Sequence, residues 1–237
     1  MHLSVIIPAY NEEHRLGITL RSVTDYLKRQ SYDWEVIVVS DGSKDKTADI
    51  VGEFSKTEPR VLVIDNKENH GKGWVVKQGM MQAKGQYRLF MDADNSVTID
   101  EIERVWPWLE KGQDIVIGSI GVEGAQIHEQ AGWHRRFLGT VSKMIIKIVL
   151  WLPINDTQRG FKCFSEKAIQ PVFSRQTIDR WGFDFEILYI AKKLGFKIKE
   201  VPVIWNNQGE SKVKLSGYIR TFMELLRVRM NAITGRY

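Results

Sequence analysis

Two near-continuous aliphatic runs close to the amino terminus restrict the fold of this chain more than any other feature. The runs that open LSVIIPAYNEE (Leu3–Glu13) and WEVIVVSDGSKDKT (Trp34–Thr47) lack the alternation of a strand with one wet face. Each therefore predicts a strand buried on both sides, the habit of a parallel sheet covered by helices. Parallel neighbours need a crossover, and residues 15–28 and 46–55 have the length and apolar spacing for helical ones. The opening thus reads βαβα, which puts ligand-facing loops at the carboxyl ends of the strands.

Those loops carry the right groups for a phosphorylated ligand. Pro8, Tyr10, Asn11, Glu12 and Glu13 follow the first run, and Ser40, Asp41, Gly42 and Ser43 close the second. A third run, LFMDADN (89–95), ends in Asp92 and Asp94 with one small residue between them. Residues i and i+2 of a strand point the same way, so both carboxylates can face one hard cation, Mg²⁺ or Mn²⁺. A D-x-D also describes a solvated turn, since Asp is a favoured turn residue; its setting after two strand-to-loop units favours the cation. NHGKG (69–73) adds Gly71 and Gly73, which let backbone approach a ligand, and Lys72 as a point charge for phosphate. It is too short for a P-loop, and no G-x-G-x-x-G follows the first strand, which weakens kinase-like and dinucleotide readings.

Six segments in order, VIIPAYNEE, VSDGSKDKT, NHGKG, MDADN, DTQRGFK (156–162) and EVPVIW (200–205), resemble the inverting GT-A glycosyltransferases of family 2. More narrowly they are similar to the dolichyl-phosphate and polyprenyl-phosphate glucosyl- and mannosyltransferases, over residues 3 to 230. The resemblance implies an α/β, Rossmann-like GT-A fold, with a mostly parallel sheet flanked by helices and interfacial helices towards the C-terminus. It implies one domain over 1–237, with a nucleotide-sugar half at 1–118 and an acceptor half with membrane-surface helices at 119–237. Pro8, Tyr10, Glu12 and Asp41 would bind donor base and ribose, and Gly71 and Lys72 the diphosphate. Asp92 and Asp94 would hold Mg²⁺ or Mn²⁺, with Asp94 catalytic; Asp156, also catalytic, and Gln158 match positions near sugar and acceptor. Ser96 stands where related mannosyltransferases carry a Gln that joins the cation, leaving Asn95 or water as the third ligand. DTQRGFK and EVPVIW, followed by a Ser-Lys turn, lie closer to the glucosyl branch, so UDP-glucose is the expected donor, with GDP-mannose the alternative.

A lipid phosphate acceptor is already anionic near neutral pH, so attack on the sugar needs positioning and charge compensation rather than a strong base. Arg135 and Arg136, assigned to catalysis, stand just before an apolar stretch where they can grip such a phosphate; Arg159 and the substrate-binding Lys212 are further candidates. The enzymatic alternative, a hydroxyl acceptor on a glycan, needs a general base at Asp156, Asp184 or Glu186. An alternative of another class is a non-catalytic nucleotide-binding protein associated with a membrane.

Net charge is +5, from 34 basic and 29 acidic residues, and its distribution says more than its size. Basic residues gather beside apolar stretches, at His134, Arg135, Arg136, Lys143 and Lys147 and again at Arg220, Arg227, Arg229 and Arg236. Residues 144–152 are too short and too interrupted to cross a bilayer, which takes about 20 apolar residues. An interfacial seat with Trp151 at headgroup level is expected instead, hence peripheral attachment on the cytoplasmic face of a membrane. Strand-like sequence starts at Leu3, so no signal peptide and no transmembrane helix are expected. The lone Cys163 excludes an internal disulfide and fits a reducing compartment. No zinc pattern, RNP-like strand or dense basic block points to nucleic acid. Residues 112–132, with five glycines, read as a mobile loop after strand-like DIVIGS. Residues 137–152, 181–195 and 214–233 read as helices, and 196–205 as a late strand.

Overall fold

A computed structural model describes residues 1–128, 133–206 and 215–237, without the side chains of residues 133–138, 215, 216 and 218. The expected βαβα opening is present as β1 (Leu3–Ala9), α1 (Leu16–Leu27), β2 (Trp34–Asp41) and α2 (Thr47–Thr57). Every residue of β1 and β2 is buried. Their side chains divide by parity: Ile6, Ile37 and Val39 join one core, while Val5, Ile7, Val36 and Val38 join the core on the opposite face. α1 covers the second core with Leu16, Leu20, Val23 and Leu27, a single stripe at helical spacing. Burying each such side chain contributes about 1.5–3 kcal/mol before conformational entropy is counted.

A third crossover follows that the sequence did not reveal. β3 (Val61–Asn66) leads through α3 (Lys72–Gln82) to β4 (Tyr87–Met91). β3 is an edge strand with Leu62 and Val63 exposed. α3 lies so close to the sheet that a Cβ on Gly79 would come within 2.6 Å of the Ile6 side chain. Close approach, rather than a strong apolar stripe, seats this helix.

A short 3₁₀ helix and α4 (Trp106–Glu110) lead to β5 (Ile115–Ser119), β6 (Gln126–His128) and α5 (Trp133–Leu150). β7 (Phe161–Ser165), α6 (Glu166–Arg175), α7 (Phe183–Lys193), β8 (Ile198–Pro202), β9 (Ile204–Asn206) and α8 (Leu215–Ile233) complete the chain. The main sheet has seven strands in the order β3-β2-β1-β4-β7-β5-β8, parallel except at β7, which runs antiparallel to both neighbours. A mostly parallel α/β sheet flanked by helices is therefore the architecture. Two local expectations change. The glycine-rich stretch at 112–132 contains β5 and also β6, which pairs in parallel with β9. The late strand is interrupted at Val203, so that β8 joins the main sheet and β9 the small one. Among the described residues, no helix is long and apolar enough to cross a membrane.

Candidate active site

A cavity of about 460 Å³ opens at the carboxyl ends of the parallel strands. It brings together eight of the residues picked from the sequence: Pro8, Tyr10 and Glu12 after β1, Asp41 ending β2, Gly71 and Lys72 entering α3, and Asp92 and Asp94 after β4. Asn69, Arg15, Arg180 and Trp181 also line it. Of these, only Asn69 belongs to a segment, NHGKG, that the sequence marks as ligand-facing.

Asp41 organises the loop before α3. Its Oδ1 accepts the His70 N–H at 2.7 Å, and its Oδ2 accepts the Gly71 N–H at 3.0 Å and Asn69 Nδ2 at 2.9 Å. Gly71 sits at φ +112, where a Cβ would be strained and would meet the Asp179 carbonyl oxygen at 2.4 Å. The glycines of NHGKG thus let two loops close on one another.

Lys72 Nζ lies 2.5 Å from Asp92 Oδ1. Burial would lower this ammonium, but Asp92, Asp184 and Asp94 outweigh it and hold Lys72 above the ordinary lysine range. Asp94 accepts the Ser96 N–H at 2.9 Å through Oδ1. Asp92 donates its own N–H to the Gly160 carbonyl at 3.1 Å, and a Cβ on Gly160 would fall 2.2 Å from the Asp92 carboxylate. Among the described residues, no group of three His, Cys, Asp or Glu side chains could hold a metal ion. Two carboxylates are nonetheless a fitting donor set for Mg²⁺, which usually takes one or two and fills its octahedron with water and substrate phosphate. Asn95 Oδ1 is buried with no hydrogen-bond partner and supplies a further hard oxygen beside the pair.

Asp156 and Gln158 do not line the cavity; they lie in the turn before β7, which the Gly160 contact presses against Asp92. Asp156 is 1% exposed, with Lys143 Nζ at 3.2 Å and an Arg159 guanidinium nitrogen at 3.4 Å from its Oδ2. Burial would raise its carboxyl, but Arg159, Lys143 and the Ile120 N–H outweigh burial and hold it below the usual carboxylate range. Glu200, which opens EVPVIW, accepts the N–H groups of Asn155 and Asp156 and fixes this turn. Asp184 faces Lys162 at 2.5 Å, both nearly sealed from solvent. Burial pushes Asp184 up and Lys162 down, so each leans towards its neutral form. Glu186 is fully buried and accepts from Thr177, Ile178 and Tyr237, an arrangement that keeps it from acting as a base. Arg135 and Arg136 belong to the first turn of α5, but their side chains lie outside the described residues, and Lys212 lies outside them entirely.

Residues 4–173 match the family model Glycosyl transferase family 2. The chain belongs to that family. A dolichyl-phosphate beta-glucosyltransferase of Trichomonas vaginalis is 36% identical to this glycosyltransferase over 239 residues, covering 96% of this chain and 71% of the relative. The human protein of that name is 32% identical, covering 99% of this chain and 77% of its own. Among solved structures, glucosyl-3-phosphoglycerate synthase from Mycobacterium tuberculosis, in complex with Mn²⁺, UDP and phosphoglyceric acid, superposes with a TM-score of 0.70 at 17% identity. That match covers 96% of this chain and 78% of the other. Mannosyl-3-phosphoglycerate synthase from Rubrobacter xylanophilus gives a TM-score of 0.76 at 17% identity, covering 100% of this chain and 76% of the other. At such identities these two neighbours report on fold alone, and the fold they share is GT-A.

Proposed function

We propose that this glycosyltransferase moves glucose from UDP-glucose to a dolichyl or other polyprenyl phosphate, with inversion at the anomeric carbon and help from Mg²⁺ or Mn²⁺. The observation that carries the reading is the Asp92–Asp94 pair beside Lys72 in a cavity at the strand ends, in a chain whose relatives are dolichyl-phosphate glucosyltransferases.

The donor lies with its base and ribose towards Pro8, Tyr10, Glu12 and Asp41 and its diphosphate towards Gly71, Lys72 and the acid pair. Asp92 and Asp94 would hold the divalent ion, which would supply positive charge against the departing nucleoside diphosphate. Lys72 adds a second, permanent positive charge to that leaving group. A phosphate oxygen of the acceptor forms its bond to the anomeric carbon as the bond to the β-phosphate oxygen breaks on the opposite face, and no proton changes hands. That chemistry agrees with a site in which Asp184 is tied to Lys162 and Glu186 to Thr177 and Ile178. Asp156, with Lys143 and Arg159 against it, orients those two cations for the acceptor, and Gln158, Arg135, Arg136 and Lys212 keep the acceptor roles that the sequence gives them. Residues up to 118 supply most of the donor side, joined in the cavity by Arg180 and Trp181 from the distal half, and the rest of the chain supplies the acceptor side. GDP-mannose is the second donor to test, because the same acid pair and loop would serve either nucleotide.

The acceptor's tail needs a lipid surface. α5 and α8 touch one another and, with Trp151 just past α5, expose Met144, Ile148, Phe222, Met223, Leu226 and Met230, with Arg229 5.9 Å from the Trp151 ring and Lys147 and Arg227 nearby in sequence. Apolar side chains rimmed by cations suit the cytoplasmic face of a membrane, approached from the side.

The test is transfer from labelled UDP-glucose to a polyprenyl phosphate in detergent, read as butanol-extractable label. Wild type yields it only with Mg²⁺ or Mn²⁺, and Asp94→Ala stays folded while losing at least about a hundredfold in kcat, as expected when preorganised charge at a leaving group is removed. Label remaining wholly water-soluble across a panel of lipid phosphates would refute the acceptor.

A further inference from the structure

Residues 176–182 reach the cavity from the distal half of the chain and are held from two sides. On one side stands the loop entering α3. Trp74 N–H donates to the Asp179 carbonyl at 3.1 Å, Gln176 Nε2 donates to the Gly73 carbonyl at 2.9 Å, and Gly71 packs against Asp179. On the other side stands the C-terminal helix. Gly182 N–H donates to Glu224 Oε2 at 2.7 Å, and Asn231 Nδ2 donates to Thr177 Oγ1 at 3.0 Å. Tyr237 donates to Glu186, the carboxylate that also takes the N–H groups of Thr177 and Ile178.

Between these anchors lies the cavity rim. Three cations line the cavity, and two are neutralised within the protein: Lys72 by Asp92 and Arg15 by Glu12. The third, Arg180, is exposed and makes no hydrogen bond or ion pair with any described residue. Its neighbour Trp181 has its ring 5.6 Å from Lys72 Nζ. A guanidinium with no hydrogen bond or ion pair among the described residues, within electrostatic reach of the Glu224 carboxylate and beside the acid pair and Lys72, is a ready bidentate partner for a phosphoryl oxygen. The peptide two residues on is itself anchored. Gly182 precedes the first turn of α7, where an N–H has no partner within the helix, and Glu224 fills that role at very close range.

We propose that Glu224 of α8 is a positioning residue for the nucleoside diphosphate. It fixes the Gly182 turn, and through it the Arg180 guanidinium and Trp181 ring, so that Arg180 meets a phosphoryl oxygen of the bound nucleotide. The inference deepens the function proposed above and shares with it only the identity of the donor nucleotide.

Titration of UDP with Mg²⁺ into the full chain tests it independently of turnover. Glu224→Ala weakens UDP about tenfold, as loss of a supporting contact typically does, and Arg180→Ala does the same. Glu224→Gln stays within about twofold of wild type, because its amide oxygen still accepts from Gly182. In the Arg180→Ala background Glu224→Ala adds less than about threefold, since the two act as one unit. A Glu224→Ala protein that melts lower yet binds UDP like wild type has lost only a structural contact, and that overturns the proposal. Glu224→Gln as weak as Glu224→Ala, additive single effects, or a wild type that binds no UDP overturn it as well. Should Glu224→Ala fail to fold, Glu224→Asp withdraws the carboxylate by one methylene; a threefold or larger loss of UDP affinity is expected, and unchanged affinity overturns it. A wild type that binds UDP but glucosylates no lipid refutes the assigned acceptor and leaves this comparison intact.

Discussion

Gly160 shows how a single missing side chain shapes this site. Its φ is not positive, so alanine costs the backbone little there, yet the added Cβ would lie 2.2 Å from the Asp92 carboxylate. Gly160→Ala is therefore expected to turn Asp92 aside and cut Mn²⁺ affinity by about ten- to a hundredfold, the range for a disturbed ligand support, while shifting Tm by no more than about 2 °C. Metal titration beside thermal unfolding checks both halves. Asp92, Asp94, Tyr10 and Asp41 were legible because each follows an apolar run by a few residues, and Lys72 because glycines flank it, so local pattern and local chemistry coincide. Arg180 was not, since what makes it notable is a lack of partners beside residues about a hundred positions earlier, a long-range fact. Asp184 and Glu186 read as possible bases because sequence reveals a carboxylate without revealing Lys162 or Tyr237 against it.

Among elements, β1, β2 and α1 followed from period alone, whereas α3 and β7 did not. α3 contains Gly73 and Gly79, which place backbone against the sheet and blur its apolar stripe. β7 buries Lys162 completely in mid-strand, which is tolerable only because Asp184 of α7 meets it. The two edge helices carry a different electrostatic device. Glu58, just past α2, takes Arg60 at 2.7 Å and Lys28, just past α1, at 3.3 Å, while Arg60 stacks 3.7 Å from the Trp34 ring. The Arg60 hydrogen bond and charge, against opposing burial and with Lys28 helping, hold Glu58 down at about 2. A depressed carboxyl stabilises the fold above its unfolded value and ceases to do so as pH falls through the folded one. Glu58→Gln should thus cost about 1–2 kcal/mol at pH 7, after discounting for solvent around the two half-exposed cations, and the gap from wild type should shrink from pH 4 towards pH 2. Urea unfolding at pH 7 and pH 3 measures it; an equal gap at both would discount the ion pair.

At the level of the whole molecule, the proposed function gives the cavity and the apolar α5–α8 surface different sides of one problem, a water-soluble donor and an insoluble acceptor. Leu226 and Met230 are exposed one helical turn apart on α8. Leu226→Asp with Met230→Asp should reduce cosedimentation with anionic vesicles by at least about tenfold, as charge replaces buried apolar area, while UDP affinity stays within twofold. Binding to vesicles that survives both substitutions, or that is indifferent to salt, would send the search for a lipid contact elsewhere on the surface.

The reversed direction of β7 carries one more consequence. Because Asp92 N–H is bonded to the Gly160 carbonyl and Phe90 sits opposite Lys162, the proposed donor and acceptor sides share a seam whose stitches are counted in single peptides. Slipping that seam by one residue would turn Lys162 outward and carry Gly160 off the carboxylate it shelters. Swapping acceptor specificity between related enzymes should accordingly succeed when the spacing from Asp156 to Phe161 is preserved to the residue, and fail when a graft lengthens or shortens it, whatever the grafted side chains are.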